Sequence, residues 1–174
     1  MALPQLTTPE YTIEVPSTGD EIKYRPFLVK EEKVLLIALE TKIESNINDA
    51  ICKIVHECTN GASGYQDSPL FDIEYLFLNI RAKSVGDVLD LEVTCPDDEE
   101  TQVPVTLYVD EIEVVKPEGH TTDIPLDKNM TLRMKYPSLS QFIENNFEVD
   151  DDPQAAIDKT FKIVADCMDT IFTT

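Results

Sequence analysis

The amino-acid sequence predicts an α+β fold with an N-terminal β-hairpin, a helical group, a small antiparallel sheet and closing C-terminal helices. Residues 11–15 and 21–27 alternate between apolar and polar types, as strands with one buried face do. Between residues 30 and 86 the apolar residues follow helical spacing, and alternation returns over residues 87–109. Because strands and helices come in separate runs along the chain, these patterns indicate the α+β class.

The N-terminal hairpin is predicted from a turn sequence between the two alternating segments. Residues 16–20 (PSTGD) consist mostly of types that favour turns, through backbone geometry or local hydrogen bonds. Pro26 has no backbone N–H to donate to a neighbouring strand. We therefore expect the second strand to lie at an edge.

Two helices are predicted to follow the hairpin. The first opens with Glu31 and Glu32, acids that the helix dipole favours in a first turn. The second begins near Ser45 or Asn46, which are good N-caps, and ends at the Asn60-Gly61 pair. The apolar residues of the second helix form one stripe, at Ile47, Ala50, Ile51, Ile54, Val55 and Cys58.

A third helix is predicted to begin with Asp72 as its N-cap and to stop before Gly86. Its apolar residues lie on nearly every face, at Ile73, Tyr75, Leu76, Phe77, Leu78 and Ile80. A helix that is apolar nearly all round must be buried, either in the fold or against a partner.

A small antiparallel sheet is predicted over residues 87–109, with residues 96–101 as an acidic hairpin loop. One face of each strand is apolar, at Leu89, Leu91, Val93 and Cys95 and at Val103, Val105, Leu107 and Val109. Residues 111–115 and 131–136 are further strand candidates, and residues 116–129 between them are predicted as a loop.

The C-terminal part is predicted to close with helices. Residues 138–141 (SLSQ) form a capping box for a short helix through Phe142 and Ile143. Residues 148–152 are predicted as an acidic linker, and Pro153 suits a helix start, where its missing N–H costs nothing. The last helix carries one apolar stripe, at Ile157, Phe161, Val164, Met168 and Ile171.

The chain divides by pattern into two parts that are also compatible with one compact domain. Residues 1–86 form the hairpin plus helical region, and residues 87–174 form the small sheet plus the C-terminal helices. The acids are unequally shared: the first part has 13 acids and 8 bases, and the second has 21 acids and 6 bases.

The formal net charge is −20, and it restricts the partners that composition favours. Such a charge repels phosphate, so nucleic acid and anionic membranes are disfavoured, whereas a basic protein partner is compatible. A solvated acidic surface is the plainer interpretation. No apolar run reaches the ~18 residues of a membrane-spanning helix, and we expect synthesis in a cytoplasm with reduced, mostly buried cysteines.

Few residues suit catalysis, and we predict neither an enzyme nor a bound cofactor or metal. Residues 61–64 are rich in glycine but follow a helix, whereas a phosphate loop precedes one. Cys52 and His56 have a spacing that could place two metal ligands on one helix face. Cys58 lies on the apolar stripe and His56 lies off it, so we interpret this group as a core thiol and a surface imidazole.

Five segments carry a resemblance to a known family: 11–19 (YTIEVPSTG), 23–40 (KYRPFLVKEEKVLLIALE), 71–86 (FDIEYLFLNIRAKSVG), 91–96 (LEVTCP) and 156–169 (AIDKTFKIVADCMD). The most specific stretches are residues 25–33 and residues 80–86. Together the segments resemble the T4-like bacteriophage baseplate hub family, and the resemblance covers most of residues 3–174.

The resemblance implies a hub subunit or hub-assembly protein of a contractile tail, which acts through protein–protein contacts. It implies other baseplate and tail hub proteins as partners, in the host cytoplasm during assembly or in the virion tail baseplate. The interface residues that we predict are Arg25, Pro26, Phe27, Lys30, Tyr75, Phe77, Arg81 and Lys83. Arg25 and Arg81 could instead pair with acids within the fold.

One departure from the family pattern concerns a Cys-x-x-Cys knuckle, which members often carry where this chain has residues 95–98 (CPDD). Asp98 stands in place of the second thiol. We therefore carry no zinc site over from the family to this chain.

Two other functions fit parts of the sequence. An acidic inhibitor that mimics DNA would place carboxylates in two ordered rows on one surface, whereas the acids here are clustered. A metal-dependent hydrolase could use the carboxylates of residues 97–100 or 150–152, which offer the oxygen ligands that hard cations prefer. Consecutive carboxylates cannot all turn inward, so we interpret these clusters as a solvated turn and a helix N-terminus.

Overall fold

The computed structural model describes residues 8–62, 68–139, 141 and 153–173, and these have the predicted α+β fold. In chain order the elements are β1 (Tyr11–Glu14), β2 (Glu21–Tyr24), α1 (Val29–Thr41), α2 (Glu44–Cys58), α3 (Leu70–Val85), β3 (Val88–Thr94), β4 (Gln102–Tyr108), a 3-10 turn (Val109–Glu111), β5 (Asp123–Pro125), β6 (Met130–Met134), α4 (Pro153–Asp166) and β7 (Met168–Thr173).

The strands of the described residues form small antiparallel sheets. β1 pairs with β2, and β3 pairs with β4, each as a separate two-stranded sheet. β6 lies between β5 and β7 in a three-stranded sheet. None of the helices in the described residues is long and apolar enough to cross a membrane.

Contacts between Cα atoms group the chain into two compact units. Unit 1 comprises the described residues of Met1–Ser63 and Asp72–Val114, and unit 2 comprises those of Gly64–Phe71 and Val115–Thr174. β3 and β4 therefore belong with the hairpin and the first helices. The division at residue 86, with one compact domain as its alternative, stays a prediction.

The core of unit 1 lies on the inner faces of α2 and α3. Its most deeply buried apolar side chains are Ile54, Val55, Cys58, Ile73, Leu76 and Ile80, each at most 1% exposed. Burial of an aliphatic side chain of this size contributes roughly 1.5–3 kcal/mol, so these helices hold the unit together. Four residues of the predicted stripe of α2 are buried here (Ala50, Ile54, Val55 and Cys58), and the other two, Ile47 and Ile51, are half-buried.

The helix starts in unit 1 differ slightly from the prediction. α1 begins at Val29, with Glu31 and Glu32 in its first turn as expected. α2 begins at Glu44 after Ile43, which makes no side-chain capping bond, so neither Ser45 nor Asn46 is the cap. The predicted end of α2 is confirmed by the positive φ angles of its following Asn and Gly residues.

The prediction that Asp72 is the N-cap of α3 is wrong, and the Asp72 side chain instead contacts a distant residue. α3 begins at Leu70, so Asp72 lies inside its first turn and is not its N-cap. The Asp72 carboxylate accepts a hydrogen bond of 3.0 Å from the backbone N–H of Ser17 and a second from the Ser17 hydroxyl. The turn between β1 and β2 is thereby tied to the N-terminal turn of α3, within unit 1.

Two strand predictions are also corrected. Residues 111–115 form no strand, because the chain leaves β4 through the 3-10 turn that contains the buried Val109. The predicted loop 116–129 contains the short strand β5, and the strand predicted at 131–136 is β6, which ends at Met134.

Unit 2 closes with one helix and one strand. α4 begins at Pro153, as predicted, but it ends at Asp166, and Met168 and Ile171 lie in β7. The predicted single helix is therefore wrong beyond residue 166, since β7 pairs with β6. The stripe residues of α4 are Ile157, Phe161 and Val164, which are 49%, 70% and 45% exposed.

The predicted capping box at residues 138–141 is confirmed. The Ser138 backbone N–H donates to Oε1 of Gln141 at 2.8 Å, and the Gln141 backbone N–H donates to Oγ of Ser138 at 3.3 Å. Phe142, Ile143 and the predicted linker 148–152 lie outside the described residues.

Candidate protein-interaction site

An apolar groove of about 320 Å³ lies among α1, α2 and α3 in unit 1. The residues that line it are Phe27, Glu32, Leu35, Leu36, Leu39, Ile47, Ile51, Phe77, Arg81 and Val85. Only Glu32 and Arg81 among them are charged, so the groove suits an apolar surface and not a polar small molecule.

Helical spacing explains why these residues share one surface. Residues 32, 35, 36 and 39 of α1 follow the i, i+3, i+4, i+7 pattern of one helix face. Ile47 and Ile51 are one turn apart on α2, and Phe77, Arg81 and Val85 are one turn apart on α3. Each helix therefore presents one row of side chains to the groove.

The groove is open to solvent. Leu36 is 56% exposed, Leu39 is 47% exposed and Val85 is 56% exposed. Scattered exposed apolar residues are ordinary on a soluble protein, whereas contiguous exposed apolar surface is typical of interaction sites.

A hydrogen bond brings residues 25–33 and residues 80–86 together at this groove. The backbone N–H of Phe27 donates to Oγ of Ser84 at 3.0 Å, and the Ser84 hydroxyl donates to the Ile80 carbonyl at 2.6 Å. Phe27 comes from residues 25–33, whereas Ser84 comes from residues 80–86. Both segments contribute side chains to the groove lining.

Arg25 is paired within unit 1. Its Nη2 lies 3.0 Å from Oε1 of Glu31, and both side chains are largely buried. Glu31 also accepts from the Leu28 backbone N–H at 2.8 Å and lies 3.1 Å from the Lys30 ammonium. Burial alone would raise the pKa of Glu31, but the hydrogen bonds from Arg25, Leu28 and Lys30 outweigh it and hold the pKa below its ordinary value.

Of the two arginines for which pairing with an acid was the alternative, Arg25 has such a pair, whereas Arg81 has no acidic partner among the described residues. Arg81 donates through Nη1 to the Gly86 carbonyl at 3.3 Å, which is a backbone group and not an acid. That contact is exposed and leaves the Arg81 side chain at the groove lining.

Tyr75 and Lys83 lie toward the hairpin rather than at the groove. The Lys83 ammonium stands 5.6 Å from the ring centroid of Tyr11, and the rings of Tyr11 and Tyr24 are 5.6 Å apart. Burial raises the pKa of Tyr24, and its neighbours Tyr11 and Tyr75 raise it further. These side chains stabilise the packing of β1 and β2.

The eight predicted interface residues thus occupy different places. Phe27, Phe77 and Arg81 line the groove. Lys30 borders a second hollow of about 290 Å³ beside α2. The interface role of all eight residues stays a prediction, including that of Pro26.

The leucines of the groove are not among the predicted interface residues. Leu36 and Leu39 lie in the run 34–39 (VLLIAL), which is apolar on more faces than a helix of a small core buries. Val34 and Ile37 on other faces of that run are 44% and 57% exposed. An unbroken apolar run in a short helix was the signal that could have identified them.

The cysteines of α2 are not activated nucleophiles. Burial raises the pKa of Cys52 and of Cys58 to about 11. Since the thiolate is the reactive form, both side chains are protonated and unreactive near neutral pH. Within the described residues, no three His, Cys, Asp or Glu side chains are grouped as ligands for a metal ion.

Asp98, which stands in place of the second knuckle thiol, has a structural contact set. Its carboxylate accepts from the Thr101 hydroxyl, from the Thr101 backbone N–H at 3.0 Å and from the Glu100 backbone N–H at 3.2 Å. These hydrogen bonds, led by that of the Thr101 side chain, lower the pKa of Asp98. Asp98 therefore fixes the turn between β3 and β4.

Comparison with known proteins identifies the family. A family model described as T4 bacteriophage base plate protein matches residues 8–174. No curated protein and no solved structure matches the chain. Because the family match includes both units and both segments at the groove, the chain belongs to the family of T4 bacteriophage base plate proteins and has a baseplate-related structural role.

Proposed function

We propose that this chain is a hub component or hub-assembly protein of the phage baseplate, and that it acts through protein–protein contacts without catalysis. The observation that carries the proposal is the meeting of residues 25–33 and 80–86 at one open apolar groove. These are the two segments with the strongest resemblance to hub proteins. The groove contacts another baseplate subunit.

The chemistry of the groove supports a protein partner. Its floor is made of leucine, isoleucine and phenylalanine, which gain free energy when another apolar surface removes them from water. Complete burial of one fully exposed side chain of this kind is worth roughly 1.5–3 kcal/mol, so each half-exposed leucine of the groove supplies part of that value toward the cost of association.

The thiols support a non-catalytic role. Cys52, Cys58 and Cys167 are all buried, and burial raises the pKa of each. A cysteine nucleophile needs the opposite shift, a lowered pKa in an accessible position.

The experiment is affinity purification of the tagged full chain from phage-infected cells, with mass spectrometry of the proteins that accompany it. Recovery of hub and tail subunits supports the proposal, and assay of purified virions then separates a resident subunit from an assembly factor. Recovery of a nuclease or polymerase without tail proteins overturns it and favours the DNA-mimic alternative.

A matched pair of variants connects that result to the groove. Leu36→Glu places a charge on a side chain that is 56% exposed in the groove, so folding is retained while an apolar partner is repelled. Leu126→Glu makes the same change at a leucine that is 51% exposed in unit 2. Loss of the baseplate partners in Leu36→Glu alone is the expected result, and equal recovery with both variants contradicts a role for the groove.

A further inference from the structure

The β3–β4 hairpin carries a wholly aliphatic face that is open to solvent. The strand register places six residues opposite one another in pairs, Leu89 with Leu107, Leu91 with Val105, and Val93 with Val103. Alternate residues of a strand share a face, so the six side chains lie together. Four of them, Leu91, Val93, Val103 and Leu107, are between 40% and 47% exposed.

The opposite face of the hairpin is mixed: it carries the polar residues Asp90, Glu92, Thr94, Gln102 and Thr106 together with Val88, Pro104 and Tyr108. Asp90 accepts a hydrogen bond of 2.8 Å from the Thr106 hydroxyl across the strands, and Glu92 stands opposite Pro104. An isolated two-stranded sheet is only marginally stable by itself in water, and here one face is wholly aliphatic. The sequence of β3 and β4 is thus that of a sheet whose aliphatic face is covered by another surface.

The charge of the hairpin region indicates what kind of surface covers its aliphatic face. Residues 84–115 contain ten acids and no Lys, Arg or His, so they carry half of the net charge of −20. The four acids of residues 97–100 are exposed at the tip of the hairpin. Like charge opposes the close approach of a second copy of the hairpin, and it also opposes nucleic acid and anionic lipid.

We propose that the aliphatic face of β3–β4 docks on another baseplate subunit, on a surface with an apolar centre and a rim of Lys and Arg side chains that meets residues 97–100. The inference rests on the proposed function for the identity of the partner as a baseplate subunit. The aliphatic residues supply the buried area, and the acids select the basic partner and accelerate its association.

One pair of double variants tests the aliphatic face. Leu91→Thr/Val103→Thr keeps residues that suit a strand and removes apolar area from the centre of the face. Leu126→Thr/Val115→Thr is the control, since both side chains are at least 51% exposed and lie in unit 2.

A second pair tests the charge. Asp97→Lys/Glu100→Lys reverses two acids of the tip and leaves Asp98, which fixes the turn, unchanged. The control Glu57→Lys/Glu74→Lys makes the same change in net charge at two exposed acids of α2 and α3.

The full chain and its variants are mixed with the baseplate and tail subunits of the same phage, expressed one at a time, and the dissociation constant is measured at low and at physiological salt. Both hairpin variants are expected to weaken binding of one subunit about tenfold or more, and neither control does so. For the wild-type chain, carbodiimide is expected to join carboxylates of residues 97–100 to lysines of that subunit.

Hairpin variants that bind every subunit like the wild-type chain overturn the inference, as do cross-links to a second copy of this chain. If those variants bind normally while Leu36→Glu still loses its partners, the hairpin inference fails and the hub proposal stands. If no baseplate subunit binds the wild-type chain at all, the hub proposal itself fails.

Discussion

Arg25 and Glu31 form a largely buried ion pair with 3.0 Å between Nη2 and Oε1. The pair joins the segment after β2 to the first turn of α1. It also explains why Glu31 is one of the few buried charged residues among those the structure describes. Its removal should therefore affect folding more than binding.

We expect Glu31→Gln to destabilise the protein by about 2–3 kcal/mol at neutral pH, because Arg25 then remains largely buried without a counter-charge. Urea unfolding followed by circular dichroism measures the loss. Glu40→Gln on the same helix is the control, since Glu40 is exposed, and its effect should stay within about 0.5 kcal/mol. Equal effects of the two substitutions would contradict the importance of the pair.

The same pair predicts a pH dependence. The pKa of Glu31 lies below its ordinary value of 4.5 in the folded protein. A carboxyl group of this kind adds stability above pH 4.5, and that stability is lost as the pH falls through the folded pKa. The difference in unfolding free energy between wild type and Glu31→Gln should thus be complete at neutral pH and shrink below pH 4.5. A difference that grows on acidification would have the wrong sign.

Ser17 and Asp72 should be energetically coupled. Asp72 is 2% exposed and accepts two hydrogen bonds from Ser17, so Asp72→Ala is expected to cost about 2 kcal/mol. A double-mutant cycle with Ser17→Ala should give a coupling of about 0.5–3 kcal/mol. Additive effects of the two substitutions would show that the contact is energetically unimportant.

The thiols should differ in reactivity. Cys95 is partly exposed, whereas Cys52, Cys58 and Cys167 are buried with raised pKa values. With a thiol reagent near pH 8, we expect Cys95 to react quickly and the three buried cysteines to react only after unfolding. Peptide mapping identifies the fast site, and rapid labelling of Cys58 in the folded protein would contradict the described core.

Substitutions in α3 should separate its core side from its groove side. Ile80 is fully buried, so Ile80→Ala is expected to cost roughly 2–5 kcal/mol in unfolding free energy. Val85 is 56% exposed at the groove, so Val85→Ala should change stability by less than about 0.5 kcal/mol. Similar losses for both would mean that the groove is part of the core.

Local patterns predicted most of the elements because period and capping are properties of neighbouring residues. The β1–β2 hairpin, the stripe of α2, the capping box at Ser138 and the start of α4 at Pro153 all depend on a few adjacent residues. These features follow from local geometry, and the structure confirms them.

The errors arise where a distant contact determines the local structure. Asp72 looks like an N-cap, but its carboxylate binds Ser17, 55 residues away. Met168 and Ile171 continue the helical spacing of α4, yet they pair with β6 as a strand. The pattern around Asp72 contains no information about Ser17, and the pattern of residues 153–171 contains none about β6.

The groove could be predicted only in part for the same reason. Phe27, Phe77 and Arg81 are among the interface residues predicted with the resemblance. The apolar run 34–39 indicates that some of its residues lie outside the core, but it does not indicate that Leu36 and Leu39 line a groove, because that depends on how α1 packs against α2 and α3.

The β3–β4 hairpin has a consequence for local dynamics. Both of its strands are edges, so every second amide along each strand has no partner in the sheet. Such a segment opens without unfolding of the α2–α3 core, and its amide hydrogens exchange with solvent long before those of the helices. Deuterium uptake in residues 88–94 and 102–108 should therefore be fast in the free protein and slow when a second surface covers the hairpin. Hydrogen exchange in this segment can thus be used to follow assembly.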